Sequence, residues 1–174
     1  LGFSTYIQTL INDANEAAAR ITLGVFDAFV PVSRYGATPD CQFLTDGAIT
    51  ATDQTFTSAS NPFVAADVGK TIVVAGAGAA GAVLVTTIAS FTSAGSVELT
   101  AAASTTVSGA VAHFGTNNTT AINNAISGLT SGGRVVFNPG YYLTDTVNMT
   151  DTNSVTLEGA SWGINANGKG TVLV

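Results

Sequence analysis

Acidic side chains are the residues of this sequence whose type and spacing come closest to catalytic chemistry. Hydrolysis of a glycosidic bond requires two carboxylates about 5–10 Å apart, flanking the bond that breaks. The candidates are Asp145, Asp151 and Glu158 near the end of the chain and, further upstream, Asp40. The three later acids lie at turn or edge positions, where Asp and Glu usually serve solvation and capping. We therefore predict that no catalytic residue lies within residues 1–174.

Metal and redox sites have few possible ligands in this chain. His113 is the one histidine, so a histidine-pair metal site is absent, and we expect its ring to pack at a strand end. Cys41 is the one cysteine, which excludes an intrachain disulfide and a cysteine zinc site. A lone thiol suits assembly in a reducing cytoplasm. We predict no metal and no cofactor.

A glycine-rich stretch, Gly76–Gly81, has the spacing of the dinucleotide-binding fingerprint, and Glu98 follows at about the distance of a ribose-binding acid. That fingerprint needs a helix directly after the glycines, so that its N-terminus faces the pyrophosphate. The residues that follow, Ala82–Ile88, are rich in β-branched side chains and poor for a helix. The stretch therefore favours a hairpin loop over a cofactor site.

Three aromatic side chains near the end of the chain, Tyr141, Tyr142 and Trp162, are candidates for stacking on a sugar ring. Large aromatic side chains are mostly buried in folded proteins. We therefore expect these three to cover the hydrophobic core rather than to bind a sugar.

Composition argues against nucleic acid as a partner and raises the question of a membrane span. Charged residues make up 9% of the chain, against about 25% in an average soluble protein. The net charge is −6 and the few basic residues form no cluster, so nothing favours nucleic-acid binding. The range Thr71–Val97 is uncharged, which makes a membrane span one possibility. Its glycines, hydroxyl side chains and alternating pattern favour a β-hairpin, and we predict no membrane insertion.

The opening segment, Ser4–Gly24, has the spacing of an amphipathic helix or of two short helices that meet near Asn12. A short helix with so narrow an apolar stripe is marginal alone in water, so it needs partners. One alternative is that it packs against its own domain. We predict instead a trimer interface around a threefold axis, formed by Ile7, Leu10, Ile11, Ala14, Ala17 and Ile21.

Residues 41–114 have the pattern of an inserted β-domain. Clusters of glycine, serine, asparagine and alanine separate short β runs at the spacing of a small sandwich or barrel. The pattern assigns no ligand to this domain. The predicted strands are Ala48–Thr50, Thr55–Thr57, Thr71–Val74, Val83–Ile88, Ser96–Leu99 and Ala110–Phe114.

A helix and four short β runs are predicted in the last third of the chain. The helix covers Thr120–Leu129 and has one apolar face. Each β run alternates β-branched or aromatic residues with polar ones, and turn residues separate the runs. The runs are Arg134–Phe137, Tyr141–Leu143, Thr146–Met149 and Val155–Glu158.

These runs and turns resemble the opening coils of the pectate-lyase-like right-handed parallel β-helix family, as found in bacteriophage tailspikes and tail fibres. The resemblance rests on the pair Gly132-Gly133, the turn Phe137–Tyr142 and the step Leu157-Glu158-Gly159. It implies that successive β runs stack as rungs, and that Asp145 and Glu158 could become neighbours one coil apart. It also implies catalytic grooves on central coils, which lie beyond this segment.

The same family resemblance extends more weakly to the residues before the insertion. Val32–Ala37 is similar to the family's first strand, usually Val-x-x-Phe-Gly-Ala. The acidic turn that follows begins at Thr38-Pro39-Asp40 and continues only at Gly115–Thr119. Family members commonly have aspartates at the positions of Asn117 and Asn118, so charge-based chemistry is not expected at this helix cap.

Taken together, these observations predict a mainly β chain in four parts. Short N-terminal helices in residues 1–25 attach and trimerise, and residues 26–40 form a linker with the first β-helix strand. An inserted small antiparallel β-domain covers residues 41–114. Residues 115–174 form a cap helix and the first coils of a right-handed parallel β-helix. Because the chain starts at Leu1 and ends on an apolar run, we expect a segment of a longer polypeptide.

The resemblance implies a virion structural protein, the particle-attachment part of a phage tail fibre or tailspike. Its partners would be two further copies, other tail or baseplate proteins and, through a downstream region, a host-surface polysaccharide. It would be assembled in the host cytoplasm and located in the phage tail. The first alternative is a polysaccharide depolymerase, a glycoside hydrolase or lyase, with its catalytic residues beyond Val174. A bacterial secreted pectinolytic protein is the second.

Overall fold

Two hydrophobic cores organise the described part of the chain. The computed structural model describes residues 29–130, 132–149, 154–159 and 171–173. The elements before the helix are β1 (Phe29–Pro31), β2 (Gln42–Ile49), β3 (Thr55–Ser58), β4 (Thr71–Val74), β5 (Leu84–Ser93), β6 (Ser96–Leu99) and β7 (Val107–Gly115). The helix and the later strands are α1 (Thr119–Ser127), β8 (Gly133–Phe137), β9 (Gly140–Tyr142), β10 (Val155–Gly159) and β11 (Thr171–Leu173).

Strands β2 to β7 close into an antiparallel barrel in the order β2-β3-β6-β5-β4-β7. Alternate side chains point inward because successive residues of a strand face opposite sides. On β4, Ile72 and Val74 are buried in the barrel while Thr71 and Val73 face outward and are half-buried. The predicted mainly β chain with a small antiparallel β-domain is thus confirmed, and the domain is a closed barrel.

An aromatic cluster fills the barrel interior. Phe63, from the loop after β3, is 4.9 Å from Phe114 and 6.1 Å from Phe56 between ring centroids. All three side chains are buried. Gly47 on β2 faces this cluster, and a Cβ there would lie 2.5 Å from Cζ of Phe56. The glycine therefore lets the β2 backbone approach the aromatic ring.

The glycine-rich stretch Gly76–Gly81 lies in the loop of the β4–β5 hairpin, as predicted. Strands β4 and β5 pair antiparallel, from Val74 opposite Leu84 to Thr71 opposite Thr87. The loop contains only a short 3-10 turn, Ala79–Gly81, before β5 begins. A helix N-terminus directed at a bound pyrophosphate is therefore missing from this stretch. Within the described ranges, no helix has both the length and the apolar character that crossing a membrane requires.

Three barrel strands, β2, β5 and β7, extend well beyond the runs that the sequence pattern predicted. The predicted run Ala48–Thr50 is only the end of β2, which begins at Gln42. The first half of β2 begins with two consecutive exposed residues, Gln42 and Phe43, and its pairing with β7 has register shifts near Gly47, so the alternation is interrupted. Strands β5 and β7 likewise extend beyond the predicted runs.

The strands outside the barrel pair in parallel. β8 lies between β1 and β10, with Val135 beside both Val30 and Leu157. β9 pairs in parallel with β11, and isolated parallel bridges join Asp40 to Tyr141 and Asn117 to Leu143. The runs predicted at Arg134–Phe137 and Val155–Glu158 therefore form neighbouring parallel strands rather than an antiparallel meander.

Helix α1 covers the second core. Ile122, Ala125 and Ile126 are buried on one face of the helix, and Leu129 is buried just after its end, which confirms the predicted apolar face. The remaining buried members of this core come from the first turn and the parallel strands: Val30, Val32, Ala37, Val135, Phe137 and Tyr142.

Two predicted strands are wrong. Val32–Tyr35 forms a 3-10 turn that ends at Gly36 in the left-handed region, φ 87°, and the strand lies just before it, at Phe29–Pro31. Thr146–Met149 is not a strand, because two of its backbone groups form hydrogen bonds with the side chain of Asn123 on α1 instead of with a neighbouring strand. The amide of Asn123 donates to the Thr146 carbonyl and its oxygen accepts the Asn148 N–H.

Several predicted features lie outside the described residues. They are the N-terminal helical segment with its proposed trimer stripe (Ile7, Leu10, Ile11, Ala14, Ala17 and Ile21), Asp151 and Trp162.

Candidate functional site

The chain enters and leaves the barrel through one narrow neck. Asp40, just before β2, accepts two hydrogen bonds from Thr116, just after β7: one from the N–H and one from the hydroxyl, both 2.8 Å long. Gly115 packs so closely on the incoming segment that a Cβ there would lie 2.8 Å from Cα of Cys41. The sequence analysis predicted that Thr38–Asp40 and Gly115–Thr119 are two halves of one turn. These two segments are in contact in the structure.

A cluster of three charged groups fixes the barrel at this neck. Lys70 Nζ lies 2.9 Å from Oδ2 of Asp40 and 2.9 Å from Oδ1 of Asp67. Burial raises the pKa of Asp40, but hydrogen bonds from Thr116 and Lys70 outweigh it and hold that pKa below its ordinary value. Burial lowers the pKa of Lys70, but its hydrogen bonds to Asp67 and Asp40 outweigh this and raise it.

Beside the neck, a cleft of about 370 Å³ lies between the outer wall of the barrel and the segment that follows β9. Three adjacent barrel strands form its wall, because Val73 on β4 pairs with both Val85 on β5 and His113 on β7. Thr71 on β4 completes the barrel side. The opposite side is formed by Asn117, Leu143, Thr144 and Asp145.

His113 is the central polar group of the barrel wall. Its ring centroid is 5.0 Å from that of Phe43 on β2, whose ring is largely exposed. Burial lowers the pKa of His113, so its imidazole is neutral at pH 7 and has one donor and one acceptor nitrogen. The residue predicted to pack at a strand end therefore lies near the end of β7 and lines the cleft.

Asn117 and Asp145 form the polar rim opposite the barrel. The Asn117 side-chain oxygen accepts the Thr119 N–H at the start of α1, at 3.0 Å. The backbone N–H of Asp145 donates to the Thr119 hydroxyl at 2.8 Å. Thr119 thus positions both rim residues, because its N–H bonds to Asn117 and its hydroxyl bonds to Asp145.

The acids considered for glycoside hydrolysis are spread over separate locations. Asp40 belongs to the neck cluster, and Asp145 is exposed at the cleft. Glu158 on β10 bonds to Arg134 on β8, with Nη1 and Oε2 2.8 Å apart. Asp145 and Glu158 share no hydrogen-bond partner among the described residues, and the expectation that they lie one coil apart stays a prediction. Nor do three His, Cys, Asp or Glu side chains of the described ranges form a group able to hold a metal ion.

The two aromatic residues of β9 have different environments. Tyr142 is buried, its ring lies edge-on to Phe137 at 5.3 Å, and its hydroxyl donates to the Asn138 carbonyl at 3.2 Å. Tyr142 is therefore a core residue, as predicted. Tyr141 points to the other face of the strand and is 42% exposed, so the prediction that it covers the core is wrong.

Sequence reasoning missed the cleft as a site. Its lining comes from separate stretches of the chain that meet only when the barrel closes and β9 adds to the parallel strands. The one available signal was an outward-facing valine on each strand of the β4–β5 hairpin, Val73 and Val85. No protein-family model matches the sequence, and a comparison with curated proteins finds no match.

Proposed function

We propose that this chain is the particle-proximal part of a bacteriophage tail fibre or tailspike. In this proposal a right-handed parallel β-helix shaft begins with β1, β8 and β10, and the barrel is an insertion in its first coil. Residues 1–25 attach the protein to the particle and join three copies. A host-surface polysaccharide is bound by a region further along the polypeptide.

The observation that carries this proposal is the parallel register of short strands from successive turns of the chain. Val30, Val135 and Leu157 are neighbours across three strands, and Asp40, Tyr141 and Val172 are aligned in the second ladder. Parallel strands need a crossover, and a coil that repeats the same strands and turns supplies one at every step. Two parallel ladders advancing together are what a β-helix requires.

The position of the barrel supports the same arrangement. The chain leaves the parallel strands after Asp40 and returns at Thr116, and these two residues are hydrogen-bonded to each other. An insertion whose ends are adjacent leaves the path of the surrounding coil intact. The barrel therefore does not interrupt the stack of parallel strands.

The ion pairs formed by two of the acids also agree with a structural role. Asp40 and Glu158 are held in ion pairs with Lys70 and Arg134. Each of these two carboxylates already has a cationic partner within the chain, which agrees with a structural role. In a trimer, three copies of a downstream receptor-binding region would act together on a repetitive polysaccharide, which increases avidity without new contacts.

Sedimentation of the purified chain tests the proposal. We expect a species of three times the chain mass at micromolar concentration, and a monomer for Leu10→Asp, because a carboxylate on the apolar stripe cannot be buried unpaired. Gln8→Asp places the same charge off the predicted stripe and should remain trimeric. A monomeric wild-type chain, or a trimer unaffected by Leu10→Asp, would overturn the trimer interface.

A further inference from the structure

The cleft beside the barrel neck contains polar groups without a protein partner. Among the described residues, neither ring nitrogen of His113 forms a hydrogen bond, and the same is true of the side-chain N–H₂ group of Asn117 and the hydroxyl of Thr71. Asp145 uses one carboxylate oxygen, Oδ1, for a long 3.4 Å bond from Thr146, which leaves Oδ2 available. Donors and acceptors thus line the same small space.

Apolar surface lies between these polar groups. Val73 and Val85 are cross-strand neighbours on the barrel wall, and Val85 is 64% exposed. Leu143 contributes a buried side chain on the opposite side. A ligand in this cleft would therefore contact an apolar wall and reach hydrogen-bonding groups at its edge.

The chemistry of the lining restricts the class of ligand. Among the described residues that line the cleft, Asp145 is the one charged side chain, and the whole chain carries a net charge of −6, so an anion such as a phosphate or a uronate is disfavoured. A purely apolar ligand would cover the polar groups without satisfying them, which costs free energy. A single exposed carboxylate gives little affinity for a cation.

A sugar ring satisfies all of these conditions, because its C–H face is apolar and its hydroxyl groups donate and accept hydrogen bonds. The geometry points to a binding site for one neutral sugar ring in this cleft, packed on Val73 and Val85 and hydrogen-bonded by His113, Asn117 and Asp145. The volume of about 370 Å³ lies within the usual range of small-molecule sites, about 300–1,000 Å³.

This site is separate from any polysaccharide site further along the polypeptide, and the inference does not require that the protein come from a phage. It assigns to the inserted barrel a binding role of its own. A single sugar ring offers few atoms, so we expect a weak dissociation constant, on the order of 1 mM.

Saturation-transfer difference NMR on the purified chain provides the test. The neutral probes are the methyl glycosides of glucose, galactose and N-acetylglucosamine, and the charged probes are galacturonate and glucosamine. We expect saturation transfer to at least one neutral probe and a weaker signal from both charged ones. No transfer to any neutral probe, or a signal confined to galacturonate or to glucosamine, would overturn the assignment.

Matched variants place the signal in the cleft. Val85→Asp introduces a charge into the apolar wall at an exposed position, so the fold should be retained and affinity for the sugar should fall about tenfold or more. Val64→Asp makes the same change at an exposed valine that does not line the cleft and should leave binding unchanged. Asn117→Ala should also weaken binding. Equal signals from all three variants would overturn the site.

The same Val85→Asp variant separates a sugar site from a contact between copies of the chain. Circular dichroism and sedimentation are compared with those of the wild-type chain. An unchanged oligomeric state together with lost sugar binding supports the inference. A changed oligomeric state without any sugar signal in the wild-type chain would show that the cleft is an interface between copies, and the inference would be wrong.

Discussion

The side chain of Asn118 forms two hydrogen bonds with the backbone of Thr38, 80 residues earlier in the chain. Its oxygen accepts the Thr38 N–H at 2.7 Å, and its nitrogen donates to the Thr38 carbonyl at 3.0 Å. The same nitrogen lies 2.8 Å from the Thr116 carbonyl and 3.4 Å from that of Leu143. Asn118 is 1% exposed. One buried amide therefore connects the chain before the barrel, the chain after it and the end of β9.

Replacing this amide by a carboxylate should be strongly destabilising. In Asn118→Asp an acceptor oxygen would face the carbonyls of Thr38, Thr116 and Leu143, where the amide now donates. We expect a loss of about 3 kcal/mol in the free energy of unfolding at pH 7. Its folded-state pKa would be raised, so the loss should be present above that pKa and shrink as pH falls toward 4, where a protonated carboxyl can donate. Urea unfolding at pH 4 and pH 7 measures both values.

The adjacent residue supplies the control. Asn117 is exposed, and its side chain accepts a hydrogen bond from the Thr119 N–H, which an aspartate can also accept. Asn117→Asp also places a negative charge at the N-terminus of α1, where it is favourable. We expect no loss of stability. A similar loss in both variants would contradict the role assigned to the Asn118 amide.

Acid should weaken the neck of the barrel through Asp40. Its folded-state pKa is below the ordinary value. The stability it contributes is therefore present above the unfolded-state pKa of about 3.9 and is lost as pH falls through the lower, folded-state value. Asp40→Asn should be less stable than wild type at pH 6, and the difference should shrink as pH falls below the unfolded-state value of about 3.9. Thermal unfolding over this range would refute the prediction if the difference stayed constant.

Lys70 should contribute more to stability than Arg134, which also forms an ion pair. Lys70→Met leaves Asp67, which is 4% exposed, without its cationic partner, so we expect a loss of about 1–3 kcal/mol. Arg134→Met removes the pair with Glu158, whose side chains are 53% and 44% exposed, and should cost less than about 1 kcal/mol. Chemical denaturation of the two variants tests this order. Equal losses would show that burial of the neck cluster does not matter.

The contact between Gly47 and Phe56 predicts a coupled pair of substitutions. Gly47→Ala would force a Cβ to within 2.5 Å of the Phe56 ring, and overpacking of this kind costs about 1–3 kcal/mol. Phe56→Leu frees space at that point, so the alanine should cost less in the Phe56→Leu background than in wild type. A double-mutant cycle by urea unfolding measures the coupling. Additive effects would mean that the backbone moves instead.

Alternation of side chains predicted the barrel strands well where each strand is regular. β4 and β6 match their predicted bounds because every second residue, from Ile72 and Val74 to Val97 and Leu99, points into the barrel. Gly47, with its register shift, breaks the same pattern in β2, so the first half of that strand was missed. Local pattern therefore identifies a strand but not its irregular parts.

The 3-10 turn at Val32–Tyr35 replaces a predicted strand because the N–H groups of Gly36 and Ala37 donate back to the carbonyls of Ser33 and Val32.

The pairing of strands that are distant in the sequence could not be predicted from local residue patterns. The cleft depends on which strands become neighbours when the barrel closes, as the contact of Val73 with both β5 and β7 illustrates. No residue spacing encodes that closure directly.

Cys41 provides a chemical probe of the neck. Burial, together with the negative charge of Asp40, raises the pKa of Cys41 to about 11. Because the thiolate is the reactive species, alkylation of the folded chain by iodoacetamide should be slow at pH 8 and should still increase between pH 9 and pH 10, where an ordinary thiol with a pKa of about 8.5 approaches its limit. The unfolded chain in urea serves as the reference for an ordinary thiol. Mass spectrometry of the alkylated chain gives both rates, and a folded-state rate that levels off near pH 9 would contradict a buried thiol held against Asp40.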